Sequence, residues 1–440
     1  MEDAYVITGG KPLEGYIKLS GAKNVALKLI IAALQFSSTV TLENVPKIND
    51  VLELIHLIKL LGAKAEFVES NTLHIDSSNL TSHKVDLLHG SKIRVSFMLF
   101  SPLLHKFREC FVPNPGGCRI GARPIDRIVE GMKSLGVTLE YDTTTGYYNA
   151  RMPRDPSGNY HFPKPSHTGT ELLVLLASIG TNTIHIENAA LEPEIDELIH
   201  FLNESGARIQ REGHTIVVHG VSELKQKLPF EIQSDRNEAV TFATLAIASK
   251  GNIAISPIQE HSLTTFLDKL KHIGAGVEVS KQQMRFYNKN PISSLNVETS
   301  PHPGFMTDWQ PNWAVLMTQT KGESIIHERV FENRFSYVEE LRKLGAEIDF
   351  IKTPIQNPAD FFFFNFDPAK KYNQAIRIKG PQKLHGGVLT VADLRAGATL
   401  AIAALIAEGE SVINGVSILE RGYENFVEKI RSVGGEISKI

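Results

Sequence analysis

Residues 113–126, PNPGGCRIGARPID, set a cysteine in a loop of prolines and glycines: Cys118 stands between Gly117 and Arg119, and Arg123 follows five residues on. Positive charge beside a thiol lowers its pKa and makes it reactive. The other reading of Cys118 is an inert small residue in a turn. A second set of charges lies where apolar helices begin: Lys23 and Asn24, Arg94, Ser166 to Glu171, then Asp235, Arg236 and Glu238, Asp308, and finally Asp393 and Arg395. Helix N-termini bind anions through free N–H groups and the macrodipole. Acids such as Asp235 and Asp393 read as caps there. Lys23, Arg94 and Arg395 instead oppose the dipole, and a bound anion would reconcile them. Glu192 and Glu194 read as the solvated first turn of another helix.

The elements that position these charges form an internal repeat. A helix tail, a glycine and a short alternating strand recur at Gly62, Gly136, Gly206, Gly274, Gly345 and Gly434, with spacings of 74, 70, 68, 71 and 89 residues. Each glycine is expected to stop a helix in the left-handed conformation and lead into a strand. A second, more apolar helix also recurs six times and is expected to be buried. The fold class is therefore α/β (α+β): two prism-like domains of three units each, sheets outside and helices inside. Residues 1–22 with 233–440 make one discontinuous domain and residues 23–232 the other. The long last interval implies an insertion near residues 352–374 of the last unit. Its Pro and Asn content reads as a loop, Phe361 to Phe364 as a buried strand or a sticky edge, and the whole as a structural decoration, with a substrate or partner contact as the alternative.

The chain of 440 residues is 42% hydrophobic, enough for two cores, and its 46 Lys plus Arg against 49 Asp plus Glu give a net charge of -3. No global field attracts nucleic acid or a membrane surface, so anions must be held by local groups. Cys110 and Cys118 make no disulfide framework and no zinc spacing, and the histidines form no HExxH. No G-x-S-x-G elbow or Walker lysine is present. The sequence therefore predicts no metal, no cofactor, no nucleic acid and no membrane span, in a cytoplasmic monomer.

Together, PGGCRIGARPID, SGAKN (20–24) and DLRAG (393–397) resemble the UDP-N-acetylglucosamine enolpyruvyl transferase family, the 1-carboxyvinyltransferases. The likeness runs almost end to end, through ENAALEPEI (187–195), SDRNE (234–238), PHPGFMTD (301–308), VFENRF (330–335) and ERGYEN (420–425). It implies two inside-out α/β barrels and the transfer of enolpyruvyl from phosphoenolpyruvate to the sugar 3-hydroxyl of UDP-N-acetylglucosamine, in peptidoglycan precursor synthesis. By resemblance Cys118 is the general acid toward the methylene carbon, and Asp308 takes the proton of the sugar hydroxyl. Lys23, Arg123, Arg395 and Arg421 match residues around the phosphate and carboxylate of phosphoenolpyruvate. Asn24, Arg94, Arg334 and Asp393 complete the cleft, and Ser166 with Lys164 lies on the uridine side.

The chain departs from the family where Ile128 replaces a histidine, and where Ser166, His167, Thr168, Gly169 and Thr170 replace Ser-Val-Gly-Ala-Thr. Both departures are on the nucleotide side, so a paralogue acting on another nucleotide or sugar nucleotide is the alternative. A non-catalytic ring of pseudo-repeats, such as a DNA clamp, would need a basic stripe. Here the basic residues are single positions at helix starts.

Overall fold

The computed structural model describes residues 3–117, 120–289 and 291–440. Cys118 and Arg119 lie outside the described residues. Among the described residues the strands form six sheets, five of four strands and one of three, each built on one sequence repeat, with a strand from elsewhere in the chain joining the first, fourth and sixth. In every copy an inner helix leads into a strand, an outer helix follows, and its glycine turns into a hairpin strand. The third copy shows the pattern: inner helix His167–Ser178, strand Thr183–Glu187, outer helix Pro193–Glu204, then the hairpin Arg208–Glu212 with Thr215–His219. The short strand Asn159–His161 closes the sheet by pairing in parallel with Thr183–Glu187.

The chain divides into two compact units. One comprises Met1–Ser20, Arg119–Arg123 and Ser234–Ile440; the other comprises Gly21–Cys118 and Pro124–Gln233. Strand pairing explains why the N-terminus joins the C-terminal half. Ala4–Gly9 pairs with Gly409–Asn414 and Glu436–Lys439, so it supplies the last hairpin strand of the sixth copy. Glu14–Lys18 then adds a parallel edge to Asn252–Ser256 of the fourth.

The inner helices have no solvent face. All thirteen residues of Arg236–Ala248 and all nine of Gln310–Thr318 are buried, as are all but one of Leu394–Ile406. A helix apolar on every side gains by burial on every side, at about 25 cal/mol per Å² of apolar surface. Polar residues survive inside such a bundle only with partners. In this unit Thr241, Asn312 and Thr399 find theirs in one another. Thr241 Oγ1 lies 2.7 Å from Tyr423 Oη, Asn312 donates to Thr241 at 3.0 Å, and Thr399 donates to Asn312 at 2.8 Å, linking all three inner helices.

The insertion lies in the fifth copy rather than the last, inside the hairpin between Ile348–Phe350 and Ala375–Gly380. The Phe run is neither strand nor edge. A one-turn helix, Pro358–Phe361, precedes an extended stretch in which alternate rings, Phe362 and Phe364, are buried. Those rings stack at 4.7 Å, and Phe366 and Tyr372 pack around them, so the insertion carries its own small aromatic core. Arg329 fastens it: its guanidinium lies 4.1 Å from the Phe361 ring and donates to the Phe361 carbonyl, and its carbonyl accepts the Phe363 N–H at 2.8 Å.

The six repeat glycines all adopt left-handed φ: 104° at Gly62, 91° at Gly136, 103° at Gly206, 83° at Gly274, 92° at Gly345 and 89° at Gly434. The same conformational need recurs at two different steric settings. A Cβ on Gly206 would meet nothing within 4 Å, whereas one on Gly62 would lie 2.4 Å from the Asn79 carbonyl oxygen. Gly206→Ala should therefore cost only the left-handed penalty, about 1–2 kcal/mol, and Gly62→Ala distinctly more. Denaturant unfolding of the two variants measures this, and equal costs would contradict the steric difference.

Candidate active site: buried charge in each unit

The unit containing residues 234–440 gathers four of the sequence-predicted residues. Arg334 is almost fully buried. Its Nη2 donates to Asp308 Oδ1 at 2.7 Å, and its Nη1 lies 3.4 Å from Asp393 Oδ1. Arg395, also buried, donates from Nε to Asp308 Oδ2 at 3.2 Å and from Nη1 to Tyr423 Oη at 3.3 Å. Asp308 thus bridges two guanidinium groups while its side chain stays 23% exposed, within reach of a ligand. Burial works against both arginine charges. For Arg334, Asp393, Asp308 and Glu328 outweigh it and hold the pKa above its usual value. For Arg395, Tyr423, Asp308 and Asp235 do the same.

Asp393 has two functions at once. As the N-cap of Leu394–Ile406 it accepts the N–H of Arg395 and of Ala396, and its Oδ2 accepts the Ser336 hydroxyl at 3.0 Å. Its reading as a cap is met, and the same carboxylate faces Arg334. Asp235 caps Arg236–Ala248 in the same way. Arg421 ends the short helix Val416–Arg421, two residues before Tyr423. Arg123 has φ +46° and its guanidinium lies 5.5 Å from the Phe331 ring centroid. Beside it, Ile120 accepts the Asn333 N–H at 3.2 Å. Cys118, the predicted general acid, falls outside the described residues. The other cysteine, Cys110, is fully buried, and burial pushes its thiol pKa well up, which makes it a poor nucleophile.

In the unit of residues 21–233, Lys23 opens the inner helix Lys23–Ala32, and its Nζ lies 2.7 Å from Asp50 Oδ2, with both side chains about 90% buried. The sequence suggested a bound anion to reconcile Lys23 with its position. Asp50, in the first turn of the next helix, supplies a carboxylate within the protein. Asn24 follows, half-buried. Arg94 opens the 3₁₀ turn Arg94–Leu99 with its guanidinium 5.5 Å from the Phe97 ring. Ser166 caps His167–Ser178 by accepting the Gly169 N–H at 3.3 Å, and Lys164 is half-buried just before it. Of the two departures, Ile128 is a core residue, and His167 pairs with the buried Glu171, which also holds Lys28 at 3.0 Å.

Sequence reasoning missed Asp50, Tyr423, Ser336 and Glu328. Tyr423 stood inside the quoted ERGYEN segment, but a tyrosine at a short helix end gives no chemical signal until Arg395 is seen against it.

The geometry thus sets buried, paired cations beside a partly exposed carboxylate on a sixfold repeat. The sequence matches the EPSP synthase (3-phosphoshikimate 1-carboxyvinyltransferase) family over residues 7–430, and the chain belongs to that family of enolpyruvyl transferases. It is 37% identical to the UDP-N-acetylglucosamine 1-carboxyvinyltransferase of Bartonella quintana, over 100% of this chain and 99% of the relative. It is likewise 37% identical to the enzyme of that name from Desulfosudis oleivorans, over 100% and 99%. Among solved structures, the enolpyruvyl transferase NikO from Streptomyces tendae superposes with a TM-score of 0.86 at 22% identity, covering 100% of this chain and 99% of that one. EPSP synthase from Acinetobacter baumannii superposes at 0.75 with 16% identity, with both chains fully covered. Membership of an enzyme family sets aside the non-catalytic ring.

Glu192 and Glu194 overturn the expectation of a solvated first turn, for both are buried, together with Glu197 one turn on. Helix Pro193–Glu204 turns this acidic start inward. Burial, with Glu194 adding to it, pushes Glu197 up to about 7 even though its Oε1 accepts the Gln233 N–H at 2.8 Å. A carboxyl raised above its unfolded value favours the protonated form in the fold. Its contribution is complete below the unfolded pKa of about 4.3 and is lost as pH rises through 7. Glu197→Gln keeps the acceptor and removes the charge, so it should match the wild type near pH 4 and exceed it by on the order of 2–3 kcal/mol at pH 8. Thermal unfolding across that range checks it; a constant offset at all pH values would contradict the buried-acid account.

Proposed function

We propose that this enzyme transfers the enolpyruvyl group of phosphoenolpyruvate to the 3-hydroxyl of UDP-N-acetylglucosamine, releasing phosphate, as a cytoplasmic monomer at the first committed step of peptidoglycan precursor synthesis. The observation that carries the chemistry is the Arg334–Asp308–Arg395 arrangement, with Asp393 behind it. Full-length similarity, at 37% identity, to two enzymes named for this acceptor supports the choice of substrate.

Phosphoenolpyruvate bears a phosphate and a carboxylate, and the tetrahedral adduct keeps both. Fixed cations in a dry site stabilise such charge more than water does, because they need no reorganisation. In the proposed sequence the sugar O–H gives its proton to Asp308 while oxygen bonds to C2. Cys118 protonates the methylene at C3, and the double bond becomes a methyl group. The adduct then loses phosphate from C2, which takes the proton held by Asp308, and a methyl proton returns to the Cys118 thiolate, so that the double bond is restored as an enol ether and both groups regain their starting state. Lys23, Arg123, Arg395 and Arg421 serve the phosphate and carboxylate. Asn24, Arg94, Arg334 and Asp393 order the reacting groups, and Ser166 with Lys164 serves the uridine side. Asp308 has one oxygen on each arginine, so proton acceptance and charge placement are coupled through a single carboxylate.

Phosphate release from phosphoenolpyruvate, measured across a panel of nucleotide sugars and bare nucleotides, should be fastest with UDP-N-acetylglucosamine; another preferred acceptor would overturn the substrate assignment. In the same assay Cys118→Ala should lose about two orders of magnitude or more, the usual range for a removed general acid, while Cys118→Asp keeps measurable turnover. A phosphonate epoxide should alkylate Cys118 in intact-mass analysis and leave Cys110 alone. Full activity of the alanine variant would end the general-acid assignment.

A further inference from the structure

Behind the arginine cluster stands a buried acid that the reaction as described does not use. Glu328 is fully buried in the segment that follows strand Gly322–His327, six residues before Arg334. Both of its oxygens are engaged. Oε1 accepts the N–H of Val330 at 2.8 Å and of Phe331 at 3.1 Å, while Oε2 accepts the Thr307 hydroxyl at 2.9 Å. Thr307 is the residue before Asp308, and Phe331 lies three before Arg334. One side chain therefore connects the turn that carries the carboxylate to the turn that carries its guanidinium partner.

The Glu328 backbone is held just as closely. Its N–H donates to the Gln374 carbonyl at 2.8 Å, and the Gln374 side-chain amide donates to the carbonyls of Glu328 and Phe331, each at 3.0 Å. Gln374 lies at the exit of the insertion, whose Arg329 contacts were described above. The Phe331–Asn333 segment fixed in this way also packs against Ile120 and Arg123. A buried carboxylate is costly unless its acceptors are filled. Here three donors fill it, and the Arg334 charge lies close enough to act on it.

We propose that Glu328 is a positioning residue of the transferase: its carboxylate sets the register between the Thr307–Asp308 turn and the Phe331–Arg334 turn, and so fixes Asp308 against Arg334 for proton acceptance. It touches no substrate and acts through Asp308 and Arg334. The inference rests on the reading of Asp308 as the proton acceptor, and a misplacement of about 1 Å at such a group can cost on the order of a hundredfold in rate.

The test compares Glu328→Gln, Glu328→Ala and Thr307→Val in the full-length enzyme, by phosphate release with the acceptor that the wild type prefers. Glutamine keeps the shape and an acceptor oxygen, so kcat should stay within about threefold; alanine should lower kcat at least about tenfold while KM for both substrates stays within about threefold, as for an interaction used in the transition state. Thr307→Val removes only the contact to the Asp308 turn and should lower kcat by about three- to tenfold with an unchanged unfolding midpoint. Should Glu328→Ala fail to fold, Thr307→Val decides alone. Wild-type kcat in the valine variant, or in a folded alanine variant, would overturn the proposal. So would equal losses in glutamine and alanine, or a loss of activity that only follows the loss of folded protein. Asp308→Ala is assayed beside them: if it retains full activity, the reading of Asp308 fails separately from the Glu328 inference, and inactivity of the wild type with every acceptor would fail the proposed function instead.

Discussion

A guanidinium group in a dry protein interior must have its charge answered nearby, and in this enzyme that requirement organises the C-terminal unit. Arg334 and Arg395 are both buried, and Asp308 and Asp393 bind them through contacts between 2.7 and 3.4 Å. Removing one member of a buried pair typically costs about 3–5 kcal/mol, because the other charge is left without compensation. A ligand that carries negative charge meets cations already desolvated and already aimed. The desolvation cost has been met by folding, and binding need not meet it again.

The repeat puts those charges where they are. In this unit the charged residues of the inner helices gather at their starts, and the turns that follow are apolar or small with a few paired polar groups. Asp393 and Arg395 occupy such a start in the sixth copy, Asp235 and Arg236 in the fourth, and Asp308 precedes the helix of the fifth. Their proximity follows from pseudosymmetry, without long loops to bring them together. The polar chain from Arg395 through Tyr423, Thr241 and Asn312 to Thr399 then ties the three helices below, so that the charged ends cannot shift independently.

Much of this could be read from sequence because it depends on period and residue type. Six glycines at nearly constant spacing require six left-handed turns, and all six are found. Apolar helices with charged starts require buried bundles with polar ends. Partners were harder to read, since they come from residues distant in sequence. Asp50 answers Lys23 from another helix, and Glu328 reaches Thr307 across twenty-one positions. The insertion misled for a related reason: spacing placed it between two glycines, but only strand pairing put it inside the hairpin of the fifth copy. Glu192 and Glu194 looked solvated because acids in a first turn usually are. Helix Pro193–Glu204 turns that end inward, which periodicity alone did not settle.

The account makes the buried guanidinium of Arg395 the fixed charge that the donor substrate uses. The direct measurement is steady-state kinetics of Arg395→Met, with the unfolding midpoint followed in parallel. Methionine retains bulk and removes charge. The account predicts that kcat/KM for phosphoenolpyruvate falls by at least about a hundredfold, the usual effect of removing one such stabilising donor, while affinity for the sugar nucleotide changes by less than about threefold. A folded variant with wild-type kcat/KM would contradict it.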